Sequence, residues 1–210
     1  MSSLEKPAVT PEKLSLKIIK SVLAQYIPQR PILNVVAQEA AVAIVIRSHT
    51  DFVEALFIQR AVRDGDPWSG DMAFPGGHKD NVDLTLRETA ERETFEEVGI
   101  NLNQSACFLG ELDSIEIKPR RSKVILVTPF VYNLFDKDFV LNKNSEVAEI
   151  LWGSLDEMII GASHVSKEVK RNGVLQYFPG YTLDNQIIWG LTFRILDQFF
   201  SLIRPFERLQ

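Results

Sequence analysis

Glu93, Glu96 and Glu97 stand at i, i+3 and i+4. On a helix all three carboxylates project from one face. Like charges so placed repel by roughly a few tenths of a kcal/mol per contact. A divalent cation reverses that sign. Hard ions such as Mg²⁺ take oxygen ligands and bind through a few carboxylates plus substrate phosphates. Arg92 lies four residues from both Glu88 and Glu96 and can pair with either, which also suits a plain solvated acidic face. The residues upstream favour the metal. Phe74-Pro75-Gly76-Gly77 reads as a tight turn that lets backbone come close to a ligand, and His78-Lys79-Asp80-Asn81 leads from it into the acidic stretch.

The segment Asp83–Gly99 holds six acids and two bases, a net −4 out of the −5 of the whole chain. The 210 residues carry 23 Lys+Arg against 28 Asp+Glu. That balance excludes a bulk nucleic-acid binder, which needs a basic surplus, and leaves room for a small nucleotide site. At 45% hydrophobic and 24% charged, the composition is that of a globular chain with a core. No apolar run is long enough to span a bilayer, and Met1-Ser2-Ser3-Leu4-Glu5-Lys6 does not read as a secretory signal. The single cysteine, Cys107, excludes an internal disulfide and reads as a small buried hydrophobe. A soluble, cytoplasmic protein is expected, with no nucleic-acid or membrane partner.

The elements that must position the acids are legible from pattern. Thr10-Pro11-Glu12 opens a helix with an apolar stripe at Leu14, Ile18, Val22 and Tyr26, ended by Pro28. Residues 1–30 therefore read as a tail and an amphipathic helix, packed against a main domain at 31–210. Residues 38–47 and 52–59 read as strands around the polar turn Ser48–Asp51. Arg60 to Gly77, rich in Gly, Pro and Asp, reads as a long functional loop. A helix is predicted over 84–98, stopped by Gly99. β-like runs follow at 105–117 and 123–134, separated by Lys118-Pro119-Arg120-Arg121-Ser122. A strand at 147–152 leads into a short helix near 155–161, and Trp189–Ile203 reads as a terminal helix. This order implies an α+β chain, a mixed sheet covered by helices.

Gly77 through Ile100 resembles the Nudix box, G-x5-E-x7-R-E-U-x-E-E-x-G-U with U aliphatic. Arg92-Glu93-Thr94-Phe95-Glu96-Glu97-Val98-Gly99-Ile100 carries the resemblance, with Thr94 at an aliphatic position. Asp83 holds the place of the first Glu, with one residue extra before Arg92. That extra residue, G-G-x-x-D-x-x-D, and Trp189-Gly190-Leu191-Thr192 resemble the coenzyme A pyrophosphatase-like branch. An upstream motif of that branch, L-L-T-x-R-[SA]-x3-R-x3-G-x3-F-P-G-G, is met at Arg60-Ala61 and at Gly70 to Gly77. The stretch between is one residue longer. Asp66 stands where the second Arg would be, with Arg63 nearby.

The resemblance implies an α/β/α sandwich with a mixed sheet that hydrolyses a nucleoside diphosphate linked to another group, using Mg²⁺ or Mn²⁺. Glu93, Glu96 and Glu97 would ligate metal, and Arg92 would orient them. Gly76 and Gly77 would shape the substrate loop. The base would be Glu96, Glu97 or a distal acid, Glu146 or Glu149. Lys118, Arg120, Arg121 and Lys123, and likewise Arg60 and Arg63, read either as phosphate contacts or as solvated charge. Trp68 and Phe74 read as base-stacking or core residues, and His78 as a phosphate contact or an exposed loop residue. The branch points to coenzyme A, cut to 4′-phosphopantetheine and adenosine 3′,5′-bisphosphate. Nucleoside diphosphate sugars, ADP-ribose, nucleoside triphosphates and a non-catalytic nucleotide-binding module are the alternatives. The partner expected is a small nucleotide, with a homodimer left open.

Overall fold

The computed structural model describes residues 14–33, 35, 37–118, 123–135, 139–171 and 173–207. Its main sheet is built on β1 (Gln38–Ser48), β2 (Val53–Arg60) and β7 (Ile125–Leu134). β1 runs parallel to β7 along Gln38–Ile46 and antiparallel to β2, so the sheet is mixed. Along β1, Ala41, Ala43 and Val45 enter one apolar cluster, while Ile44 and Ile46 enter another. β2 splits the same way, Leu56 and Ile58 against Ala55 and Phe57. This period-two alternation between two buried faces requires a cover on each side. α2 (Leu86–Val98) and α3 (Leu102–Ser105) cover one face. α1 (Leu16–Gln25), α4 (Leu155–Ile159) and α5 (Gly190–Glu207) cover the other. The expected α/β/α sandwich is the observed architecture.

β1 and β2 pair only at their hairpin end, Ile46–Ser48 with Val53–Ala55. Beyond it they part, and one extended run fills the split. β3 (Met72–Ala73) pairs with β2, and β4 (Gly76–His78) pairs with β1. Gly76 and Gly77 are therefore sheet residues, which corrects the tight turn expected there. Their smallness serves close packing against protein. A Cβ on Gly76, whose φ is +155°, would lie 2.2 Å from the Ala41 carbonyl oxygen. One on Gly77 would lie 2.5 Å from Oε1 of Glu93.

The remaining strands are β5 (Ala106–Glu111), β6 (Ile115–Ile117) and β8 (Val147–Ser154). β5 and β6 both pair with β7, and β8 pairs with β2. Cys107 is exposed on β5, at the edge of the sheet, so the buried reading is corrected. A second sheet was not foreseen. It consists of β9 (His164–Arg171), β10 (Val174–Leu183) and β11 (Gln186–Trp189) in antiparallel order. Its Tyr181, Leu183 and Ile188 enter the same cluster as α5's Phe199 and Phe200.

Thr10-Pro11-Glu12 lies outside the described residues, but the start expected there is corrected, since Leu14 and Ser15 precede a helix that begins at Leu16. The Ser15 hydroxyl caps α1 by accepting from the Ile18 N–H at 3.3 Å. Ile18, Ile19, Val22 and Leu23 are buried in the core, each contributing about 1.5–3 kcal/mol. Among the described residues, no helix is long and apolar enough to cross a membrane.

Candidate active site

α2 is held at both ends by its own sequence. Thr85 and Glu88 form a capping box at its start, and Gly99, with φ +79°, closes it. Glu88 accepts from the Leu84 and Thr85 N–H groups, so it is not the partner of Arg92. Asp83 and Leu84, expected at or inside the helix, precede the cap. Thr94, at the box's aliphatic position, is fully buried and returns its hydroxyl to the Ala90 carbonyl at 2.6 Å. That bond satisfies the one polar atom that the substitution brings into the core.

Arg92 is the organising cation. Its Nε and Nη2 donate to Asp83 Oδ1 and Oδ2 at 3.0 and 2.9 Å, a two-bond fork. Nη2 also donates to the His78 carbonyl at 3.1 Å, tying α2 to the end of β4. Nη1 donates to Glu93 Oε1 at 3.0 Å and to Glu96 Oε2 at 3.2 Å. The pairing holds the Asp83 carboxyl at about 2, well below the usual range, with the Arg92 hydrogen bonds as the largest cause. Asp83 as the anchor of this arginine is the residue that helical spacing could not reveal. It lies nine positions upstream of Arg92, across a helix start, and only the box alignment marked its place.

Glu97 turns inward. It is 2% exposed, and its Oε2 accepts from the Gly76 N–H at 2.8 Å. Burial pushes its carboxyl up to about 8. The Gly76 bond and the Arg60 charge pull it down, and the charges of Glu93 and Glu146 add to the rise. Burial also raises Glu93, against Arg92, with Glu96 and Glu146 adding to it. Glu93, Glu97 and Glu146 thus share one field, with Glu96 beside Glu93. Glu146 is half exposed, and its Oε1 accepts from Arg63 Nη1 at 3.1 Å. Arg60 Nη2 donates to Asp66 at 2.7 Å, and its Nε is buried without a partner. The end of β2 and the segment after it thus carry Arg60 and Arg63, each paired with a carboxylate of its own.

The other candidates separate. Phe74 is buried and stacks on Phe57 at 4.9 Å between centroids, a core contact. Trp68 packs, partly buried, against Ala40, Ile125 and Val127. His78 is exposed and contributes only its carbonyl to Arg92. Glu149 is exposed on β8, opposite Gln59. Lys118 pairs with Glu116 at 3.2 Å beside the β6–β7 turn. Arg120 and Arg121 lie outside the described residues.

The donor set suits a hard divalent cation. Glu97 is a buried carboxylate with one hydrogen-bond donor, so a proton or a cation must neutralise it. Among the described residues, no group of three or more His, Cys, Asp or Glu side chains is gathered closely enough to hold a metal ion by itself. Mg²⁺ needs no such group, because water and phosphate oxygens complete its shell.

The family model for the NUDIX domain matches residues 37–173. The chain belongs to the Nudix family. Over 157 residues it is 34% identical to protein C14C4.10c of Schizosaccharomyces pombe, covering 66% of this chain and 47% of that one. Over 130 residues it is 32% identical to the peroxisomal coenzyme A diphosphatase ndx-8 of Caenorhabditis elegans, covering 60% and 53%. The chain thus spans about half the length of these curated relatives. A MutT/nudix family protein from Enterococcus faecalis has the same fold, with a TM-score of 0.52 at 18% identity over 91% of this Nudix chain and 70% of its own.

Proposed function

We propose that this Nudix protein is a metal-dependent hydrolase of a nucleoside diphosphate linked to a second group, and that coenzyme A or a derivative is its substrate. The observation that carries the reading is Glu97, a buried carboxylate fixed to Gly76 beside Glu93 and short of compensating charge. Glu93, Glu96 and Glu97 would hold Mg²⁺ or Mn²⁺. Such an ion supplies cancellation of phosphate charge and a more acidic bound water. Arg92 holds Glu93 and Glu96 in place through Nη1, and Asp83 holds Arg92. Glu96 and Glu146 are exposed enough to take a proton from an attacking water, while Glu97 is screened from solvent. Glu146 becomes available as a base when Arg63 exchanges its carboxylate for a substrate phosphate.

The coenzyme A assignment is supported by the relative ndx-8, by the box with its added residue and by Trp189-Gly190-Leu191-Thr192. In this protein Trp189 donates to Asp71 at 2.9 Å and the Thr192 hydroxyl to the Met72 carbonyl at 2.9 Å. Those bonds fasten the end of β11 and the first turn of α5 to β3 and the residue before it, on the way to Gly76. A different nucleoside diphosphate derivative is the second reading, favoured by Asp66. Where the branch motif has an arginine, this chain has an acid bound to Arg60. The test is turnover of coenzyme A, ADP-ribose and nucleoside diphosphate sugars with Mg²⁺ or Mn²⁺, with products identified by mass. Highest kcat/KM on coenzyme A is expected. No turnover of any of them by folded protein would overturn the hydrolase reading.

A further inference from the structure

The second sheet carries, beside Trp189, residues of β9 and β10 that no motif accounts for. Along β9, Val165, Lys167 and Val169 are half-buried while Ser166, Glu168 and Lys170 are exposed. Lys167 stands directly opposite Phe178 of β10. The Phe178 ring lies 5.7 Å from that of Trp189, with the planes at 51°. Both rings are half-buried. Trp189 is fixed by its indole N–H on Asp71 Oδ1, and the Asp71 carbonyl accepts from the Arg60 N–H at 3.0 Å. Arg60 in turn acts electrostatically on Glu97. Hydrogen bonds and ring contact therefore link Arg60, Asp71, Trp189 and Phe178, with Lys167 paired across the ladder from Phe178. Among the described residues, Lys167 makes no hydrogen bond or ion pair at contact distance, although its charge reaches Asp71.

Two aromatic rings beside an ammonium that makes no hydrogen bond or ion pair among the described residues are the chemistry that recognises a phosphorylated nucleoside. The base has a π-face for the rings, and the phosphate has an anion for the lysine. We propose that Lys167, Phe178 and Trp189 form a distal subsite that takes the nucleoside end of the substrate, including a phosphate carried on it. The inference rests on the hydrolase reading for the rest of the substrate, not for the subsite itself. β9 and β10 are specificity elements, and the sequence between Gly161 and Trp189 tunes which nucleotide is accepted.

The test is calorimetric titration of the full chain, with Mg²⁺ present, by adenosine 3′,5′-bisphosphate and by adenosine, alongside turnover of coenzyme A. Lys167→Met should weaken bisphosphate binding by about 10-fold and leave adenosine unchanged, since one charge-assisted phosphate contact is lost. Lys167→Arg should restore it. Phe178→Leu should weaken both ligands by about 5-fold or more through lost stacking. In turnover, KM should rise by the same factors with kcat unchanged, a split that a merely structural role for the hairpin would not produce. Equal bisphosphate affinity in wild type and Lys167→Met, or no binding by wild type whose circular dichroism shows it folded, overturns the subsite. Turnover with a KM blind to Lys167 also sinks the subsite and leaves the hydrolase standing. Lysine-dependent binding without turnover of any diphosphate keeps the subsite and sinks the hydrolase.

Discussion

Glu91 and Glu97 lie on the same helix, and both carboxylates are buried, at 9% and 2% exposure. Their surroundings differ. Glu91 Oε1 accepts from the Tyr132 hydroxyl at 2.9 Å and lies 3.4 Å from Arg87 Nε, and its Oε2 accepts from the Asn103 amide at 2.9 Å. Glu97 has one backbone donor, with Glu93 and Glu146 acting against its charge. The first is a satisfied structural carboxylate. Its burial is matched by donors from β7, α2 and the start of α3. The second is under-satisfied, and a proton or, on the proposed function, a cation would complete it. Burial alone does not mark a functional acid; the shortfall of donors does.

The sharpest way to break this comparison is to neutralise each acid. Glu97→Gln should lower kcat by roughly 10³-fold or more, because a ligand for the ion that stabilises the reacting phosphate is lost. The neutral amide avoids burying a charge, so the Tm should hold or rise. A variant with near wild-type kcat would refute the distinction. Glu91→Ala should do the reverse. Tyr132 and Asn103 lose their acceptor, at a cost of about 3 kcal/mol in urea unfolding, while kcat per folded molecule stays within about 2-fold.

Metal and pH sharpen it further. The folded value of Glu97 is raised above its ordinary 4.5, so the native state keeps a proton that the unfolded chain has lost. Stability of the metal-free protein should therefore fall as pH rises from about 4.5 and level off above about 8. Mg²⁺ at a hundredfold excess over its Kd should recover about 2.7 kcal/mol at pH 8 in wild type and much less in Glu97→Gln. A Tm response to Mg²⁺ equal in both proteins would place the ion elsewhere.

The smallest effect belongs to the pair behind the site. Asp83 is depressed from 3.8 to about 2, so its contribution is present above pH 3.8 and lost as pH falls through about 2. Arg92, held above its ordinary value by the same pair, stays charged throughout, and Asp83 alone carries the pH dependence. Unfolding at pH 5 and pH 2 should differ by about 2 kcal/mol more in wild type than in Asp83→Asn. An identical pH response in the two proteins would show that this fork does not anchor Arg92.

Much of this was legible in the residues. Periodicity located β1, β2, β7 and α2 to within a few positions, because each carries its own alternation or caps. Helical spacing put Glu93, Glu96 and Glu97 on one helix, but not that Glu97 turns into the core while Glu96 stays half exposed. The second sheet escaped because β9 is charged and half exposed, so its pairing with β10 and the docking of β11 are not written as an apolar pattern. Gly76 and Gly77 looked like a turn because their strand is three residues long and exists only where β1 and β2 part. Cys107 looked buried because its type usually is, but an edge strand leaves it open.

The sequence by itself determined the helix, its stop at Gly99 and the order of the acids along it. These depend on local geometry, which a chain carries within a few residues. Only the tertiary structure decided which buried acid is satisfied and which is not. Glu91's hydroxyl donor comes from 41 positions away and Glu97's donor from 21. The same packing of distant segments brought Asp83 to Arg92, the charge of Glu146 within reach of Glu97 and Lys167 opposite Phe178.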